Sequence, residues 1–371
     1  MNKKAFTIVV MIAVVVIGVF VVLNRATQDE GIINVGVILP LTGGGAIYGQ
    51  AMLRGIELAH FESGISDKIR LIVEDDAGDA RTGINAFNSL ISRNVDIVIG
   101  GPMSHVAASM IPIANRERIL LVSPMASKPD LSTESDFFFR VCATDDVEGK
   151  ILANYISNVL GLRRVAFLYP NVDYGVGIMR AFLAESEGTP IEIVFNEGYQ
   201  IGTVDFRTQI LRIRNQNPDI LISPAYLQEG LIIFQQLNEL NCNFYVAGVN
   251  SYFEDSMIEA AGRLRDRVFF TYSMFSTDTE NERTNQFIES FRRKFNETPN
   301  SFAAHGFDSF YVIEHEIKLL LESRRKINSD SIREGFTQGR TYNGVTGQFY
   351  FDESGNVEKD LRIIWMRDIN R

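Results

Sequence analysis

Residues 32–59 read IINVGVILPLTGGGAIYGQAMLRGIELA. The opening run, Ile32–Leu39, is short, apolar and rich in β-branched residues, and Pro40 closes it. That is the composition of a strand buried on both faces. Thr42 and the glycines Gly43, Gly44 and Gly45 then make a loop. Behind the loop, Met52, Ile56 and Ala59 recur at helical spacing on one face. A strand, a loop and a helix in that order form the repeating unit of a parallel α/β sheet.

The unit recurs along the chain. Further apolar runs lie at Ile69–Val73, Val95–Ile99, Ile119–Val122, Val165–Tyr169, Ile191–Phe195, Ile220–Ile222, Phe244–Val246 and Val268–Thr271, bounded by Gly, Pro, Asn or Asp. Amphipathic stretches separate them, such as the one placing Phe206, Ile210 and Ile213 on one face. One series runs to about Arg140 and a second from near Val147 to near Tyr272. A strongly helical stretch follows from Glu280 to about Phe336, and from Tyr342 the chain alternates in β fashion around a turn at 352–356. The expected fold is therefore α/β with two lobes, each a parallel sheet flanked by helices. Lobe one takes residues 32–140 plus 275–338, and lobe two takes 141–272 plus 342–371. No low-complexity linker divides the series, which points to close crossings and a cleft between the lobes. Clefts at the carboxyl ends of parallel strands are where α/β proteins bind ligands.

The chain has 371 residues, which suits two α/β domains of ordinary size. Its formal net charge is −10, and Lys3 and Lys4 precede all other charges, so the body is more acidic still. That balance argues against nucleic acid as the main partner, because phosphate binding needs a basic footprint. After Lys3 and Lys4 no charge appears from Ala5 to Leu23. A helix over that run would span roughly 28 Å, close to the hydrocarbon thickness of a bilayer. Residues 1–24 are thus expected to be a signal peptide or a membrane anchor. The exit around Leu23 and Asn24 is a poor cleavage site, and no Cys lies near residue 20 for lipid attachment. In either case the body is expected outside the cytoplasmic membrane, with Lys3 and Lys4 left inside. Cys142 and Cys242 are the only cysteines. They exclude a disulfide scaffold and leave two readings, a pair or two buried thiols.

Signals for catalysis are sparse. His60, His105, His305 and His315 show no spacing suited to a zinc helix, and no Cys-x-x-Cys, Gly-x-Ser-x-Gly or Walker motif occurs. No enzyme, metal or cofactor is expected. A dinucleotide fingerprint counted from Gly43 requires glycine where Tyr48 stands, so it fails, although Glu74 and Asp75 end the next run. The loop instead offers backbone N–H groups and Tyr48 to a ligand in the cleft. Gly100 to His105 forms a similar loop before an alanine-rich helix. There the Ser104 hydroxyl suits a carboxylate held at a helix start, or a helix cap. The segment from Ser123 to Asp130 has the same character.

The ordered set of these loops resembles the periplasmic binding proteins of the leucine/isoleucine/valine type. It runs from Leu39–Gly43 with Tyr48, Gly49 and Gly55, through Gly100 with Ser104 and Ser123–Leu131. Phe139–Val141 with Asp145 and Gly149, Asp173–Gly175, Ala225–Tyr226 and Gly344–Gly355 complete it. The resemblance implies a hinged trap crossed three times by the chain. It implies carboxylate binding by Ser104, further donors at Met125, Ala126 and Ser127, and cleft aromatics at Tyr48, Tyr174 and Tyr226. The family's acid for a ligand ammonium falls on Asn250, an amide that cannot offset a positive charge. Asp145 and Glu229 are candidates to supply it. The implied function is an extracytoplasmic receptor for a small solute: a branched-chain or other amino acid, an amide or a related carboxylate. Its partners are the permease subunits of an ABC importer. The alternative is a membrane-tethered ligand sensor of the same fold.

Overall fold

The computed structural model describes residues 31–132, 137–273, 275–276 and 281–369. The targeting segment expected over 1–24 lies outside them. No helix among the described residues is long and apolar enough to cross a membrane.

The apolar runs become two sheets. The first has the order β2-β1-β3-β4-β5 and is parallel throughout. Its strands are β1 (Ile33–Leu39), β2 (Ile69–Asp75), β3 (Ile97–Gly100), β4 (Leu120–Ser123) and β5 (Phe138–Arg140). Strands β3 and β4 are buried at every residue, as continuous apolar runs require, while the edge strand β2 is half-exposed and carries Arg70 and Glu74. The second sheet has the order β13-β10-β9-β8-β6-β7. It comprises β6 (Arg164–Pro170), β7 (Glu192–Tyr199), β8 (Ile220–Ile222), β9 (Tyr245–Gly248) and β10 (Val268–Ser273), joined at one edge by β13 (Leu361–Trp365). Only β13 runs antiparallel to its neighbour, pairing Phe269 with Trp365.

Helices α1 (Ala46–Glu62), α2 (Ala80–Ser92) and α3 (Ser104–Glu117) serve the first sheet. Helices α4 (Asp145–Asn154), α5 (Asp173–Ser186), α6 (Arg207–Asn215), α7 (Leu227–Glu239) and α8 (Asp255–Ala261) follow. The long helical stretch resolves into α9 (Glu282–Phe295), α10 (Ser301–Glu322) and α11 (Ser329–Phe336). Asn281, Asn300 and Asn328 start them, each accepting a backbone N–H with its side chain.

Helix α10 returns to the first lobe and lies against α1. The approach depends on two glycines. A Cβ on Gly55 would sit 1.9 Å from the Ala303 carbonyl oxygen, and one on Gly306 would sit 2.2 Å from that of Met52. The hairpin of β11 (Tyr342–Gly344) and β12 (Gly347–Phe349) is tied to α10 as well. The Asp308 carboxylate accepts from the N–H groups of Val345 (2.7 Å) and Thr346 (3.0 Å). These contacts set the hairpin beside the first lobe, whereas the sequence reading put all of 342–371 in the second. The tail joins the second sheet only at β13. Cys142 and Cys242 are buried free thiols.

Candidate functional site

Both sheets aim their carboxyl ends at one cavity. Pro40 and Tyr48 follow β1, Met103 and Ser104 follow β3, and Met125 and Ser127 follow β4. From the other side come Tyr174 after β6, Ala225 and Tyr226 after β8, Val249 to Ser251 after β9, and Ser273 at the end of β10. The centre of a water molecule can move through about 100 Å³ of it. That is room for a small organic molecule.

Helix starts converge here. Helices α3, α5 and α7 have Met103, Val172 and Tyr226 at their caps, and none of these makes a side-chain cap bond. The first N–H groups of such helices lack intrahelical partners and carry the positive end of the helix dipole. Ser104 is the first residue of α3, not its cap. Its hydroxyl oxygen accepts from the Lys128 N–H (3.2 Å), which leaves the hydroxyl proton for another acceptor.

Four aromatic rings bridge the two walls. Phe302 and Tyr48 lie 4.6 Å apart, Tyr48 and Tyr226 6.4 Å, and Tyr226 stacks on Tyr174 at 5.7 Å. The Tyr48 hydroxyl accepts from the Leu227 N–H at the start of α7 (2.6 Å). Burial pushes all three phenols upward, so they remain neutral and retain their O–H donors.

The residues singled out in the sequence fare differently. Tyr48, Ser104, Met125, Ser127, Tyr174, Tyr226 and Asn250 all line the cavity. Ala126 does not. Its N–H donates to the Ser123 hydroxyl (3.0 Å) and its carbonyl accepts from Arg140 (2.9 Å), so both backbone groups are already used. Arg140, buried in β5, also donates to the carbonyls of Lys128 (2.7 Å) and Pro129 (3.1 Å). It thereby fixes the loop that presents Met125 and Ser127.

Asn250 lines the cavity, but its side-chain oxygen accepts from the Ser273 N–H (2.9 Å). Neither acid proposed to replace it reaches the cavity wall. Glu229 accepts from the Gly202 N–H (2.8 Å). Asp145 is packed behind the wall, where a Cβ on Gly177 would meet its carboxyl at 2.3 Å. Burial drives Asp145 well above the usual carboxylate range, and Ser127 offsets only part of that.

The sequence reading overlooked Glu148, Phe302 and His305 on the cavity wall. Glu148 is buried in α4, and its carboxylate accepts from the Thr271 hydroxyl on β10. Burial lifts it to about 7. His305 is held neutral by burial, pushed down to about 3. Its Nδ1 lies 2.8 Å from the Ser301 carbonyl, so that nitrogen carries the proton and Nε2 is an acceptor. Neither lysine nor arginine appears among the described lining residues, and no described cluster of His, Cys, Asp or Glu has metal-binding geometry.

Two α/β lobes whose strand ends and helix starts converge on one cavity define a solute-binding protein of the cleft type. The chain belongs to the periplasmic binding protein family, whose model matches residues 32–368. It is 30% identical over 222 residues to the Leu/Ile/Val-binding protein BraC3 of Rhizobium johnstonii, covering 58% of this chain and 60% of that protein. Among solved structures it resembles the branched-chain amino acid transporter substrate binding protein LivJ of Streptococcus pneumoniae, in complex with isoleucine. There the identity is 26% and the TM-score 0.80, over 90% of this chain and 95% of that one. A solute binding protein of an ABC transporter from R. palustris, in complex with benzoate, shares the fold at a TM-score of 0.82 and 19% identity, over 91% and 94% of the chains. The family is one of receptors, and its location is extracytoplasmic.

Proposed function

We propose that this protein captures a small carboxylate-bearing solute of the amino-acid class between its lobes and delivers it to the permease of an ABC importer. One observation carries this reading: both lobes contribute helix starts, hydroxyls and aromatic rings to a single cavity. The ligand carboxylate is received by the Ser104 and Ser127 hydroxyls and the first N–H groups of α3. Tyr48, Tyr174, Tyr226 and Phe302 enclose the remainder. Residues 32–140, 275–338 and the β11–β12 hairpin form one lobe. Residues 141–272 and β13 form the other, and the two close on the ligand. Residues 1–24 direct export and tether the body to the membrane. N-terminal sequencing of the processed protein tests the tether, which a cleavage near Ala26 removes.

The binding claim is tested on protein unfolded and refolded free of ligand. Thermal melting is recorded against the standard L-amino acids, their amides and small aromatic carboxylates. A true ligand at 100 times its dissociation constant adds about 2.7 kcal/mol and raises the melting temperature by several degrees. Absence of any shift, together with no small molecule retained by the native protein in mass spectrometry, removes the reading.

A further inference from the structure

Of the described residues lining the cavity, Glu148 is the one carboxylate, and nothing cationic accompanies it. One of its oxygens is occupied by the Thr271 hydroxyl. No described group donates to the other, and it is not among the buried polar atoms left without a partner, so it opens toward the cavity. Of the other acids near the cleft, Glu229 accepts from the Gly202 N–H and Glu254 from Asn300, while Asp145, whose carboxyl oxygens have no hydrogen-bond partner among the described residues, is buried beside Gly177 and does not line the cavity. A purely anionic ligand would bind beside Glu148 only with that carboxyl protonated, since an unpaired buried charge is strongly unfavourable. A ligand that also carries a cationic nitrogen turns the same group into a paired ion.

We propose that Glu148 is the specificity-determining acid of the cleft: it receives the ammonium group of a zwitterionic ligand whose carboxylate sits at Ser104. This rests on the amino-acid reading above and adds the residue that selects for the amine. It also replaces the amide Asn250, whose oxygen already holds Ser273.

The assignment makes affinity pH-dependent with a definite sign. The empty cavity holds Glu148 up at about 7, and an ammonium partner needs it ionised. Acidification then forces the ligand to displace a proton, so binding weakens about 30-fold between pH 8 and pH 5.5. The other titratable groups facing Glu148 are Asp145 on its own helix and Tyr174 on α5. Tyr226, His305 and Cys142 share the cavity wall. The tyrosines and Cys142, the latter at about 12, stay neutral above this window, and His305 stays neutral down to about 3. Asp145 is the neighbour able to titrate alongside Glu148, so the variant E148Q makes the assignment. Glutamine keeps an acceptor for Thr271 while losing the charge.

Calorimetric titration of the wild type and E148Q with the standard L-amino acids and with benzoate, at pH 8 and pH 5.5, decides the matter. The expected result is an amino acid that binds the wild type and weakens on acidification. E148Q weakens it about 10- to 150-fold at pH 8 and abolishes the pH dependence. An amino acid bound equally at both pH values, or equally by E148Q, overturns the role of Glu148 and leaves the receptor function standing. Benzoate as sole ligand, or binding that tightens on acidification, overturns it as well. Failure of every probe at both pH values removes the amino-acid reading first and this assignment with it. Should E148Q not fold, Asp145→Asn makes the assignment: a pH dependence that survives it belongs to Glu148, and one that disappears overturns the role.

Discussion

Ser104 starts α3 without capping it, because Met103 holds the cap position and makes no side-chain bond. Its hydroxyl instead takes the Lys128 N–H and keeps its own proton for a ligand. Ser104→Ala is therefore expected to weaken carboxylate binding by about 1.5–3 kcal/mol, the value of a bond to a charged group. The empty protein should lose only about 0.5–1.5 kcal/mol for the Lys128 bond. Calorimetric titration and urea unfolding of this variant separate the two, and a stability loss without an affinity loss denies Ser104 its ligand role. Glu148 gives a second residue-scale expectation. Its carboxyl is raised from 4.5 to about 7, so the folded state binds that proton more tightly than the unfolded chain. Its contribution is fully present below about pH 4.5 and lost as pH rises through 7, amounting to at most about 3 kcal/mol. His305, lowered from 6.5 to about 3, acts oppositely: its contribution is present above 6.5 and lost as pH falls toward 3. Urea unfolding of the empty protein at pH 5 and 8 should show E148Q gaining on the wild type at the higher pH. An unchanged difference would mean that Glu148 is not desolvated. The loop residues around the cavity were legible because each follows a strand end, where Gly, Ser and Tyr have no packing duty. Glu148 was not: in Asp145-Asp146-Val147-Glu148 it reads as one more acid favoured by a helix start. Only the fold, by laying β10 beside α4, buries it.

At the scale of elements, apolar runs bounded by turn residues marked the strands of both sheets closely, β8 to the residue. Strand β5 passed unnoticed because it ends on the charged Arg140, which breaks the apolar-run pattern that marks the other strands. The hairpin β11–β12 was recognised as β structure but given to the wrong neighbour. Its place depends on the buried Asp308, which sequence spacing cannot connect to Val345 and Thr346. The close pairing of α1 with α10 was also hidden, since Gly55 and Gly306 look like helix-weakening residues until the helices are seen in contact. Their lack of a Cβ lets each backbone reach the other. This pair carries Tyr48, Met52, Phe302 and His305 to the cavity. Gly306→Ala forces the Met52 carbonyl away and is expected to cost about 1–3 kcal/mol by overpacking. It should also weaken ligand binding, since the displaced helices carry the wall. A variant with wild-type melting temperature and affinity would show that the helices can separate freely.

For the whole molecule, the question is what holds the lobes together without ligand. Polar links between them are present among the described residues. They include the Tyr48 hydroxyl with the Leu227 N–H, Lys128 with Asp173 at 3.4 Å, and Asn300 with Glu254 at 3.1 Å. The Lys128–Asp173 pair is partly exposed, and such pairs contribute about 0–1 kcal/mol. A hydrogen bond adds about 0.5–1.5 kcal/mol net. A ligand that touches both walls moves the population toward the closed form by its own differential affinity. Small-angle scattering should accordingly record a smaller radius of gyration at saturating ligand, and an unchanged radius would contradict the closing motion. Tyr48→Phe isolates the closed state. The phenol oxygen meets Leu227 only when the lobes approach, so removing it leaves a helix-start N–H unpaired in the closed form and alters nothing between lobes in the open one. The expected outcome is an affinity about 2- to 10-fold weaker, with the melting temperature of the empty protein unchanged and the same compaction at saturation. A fall in the empty protein's melting temperature equal to the loss in binding energy would instead mean that the empty protein is already closed, and that the ligand enters a preformed cavity.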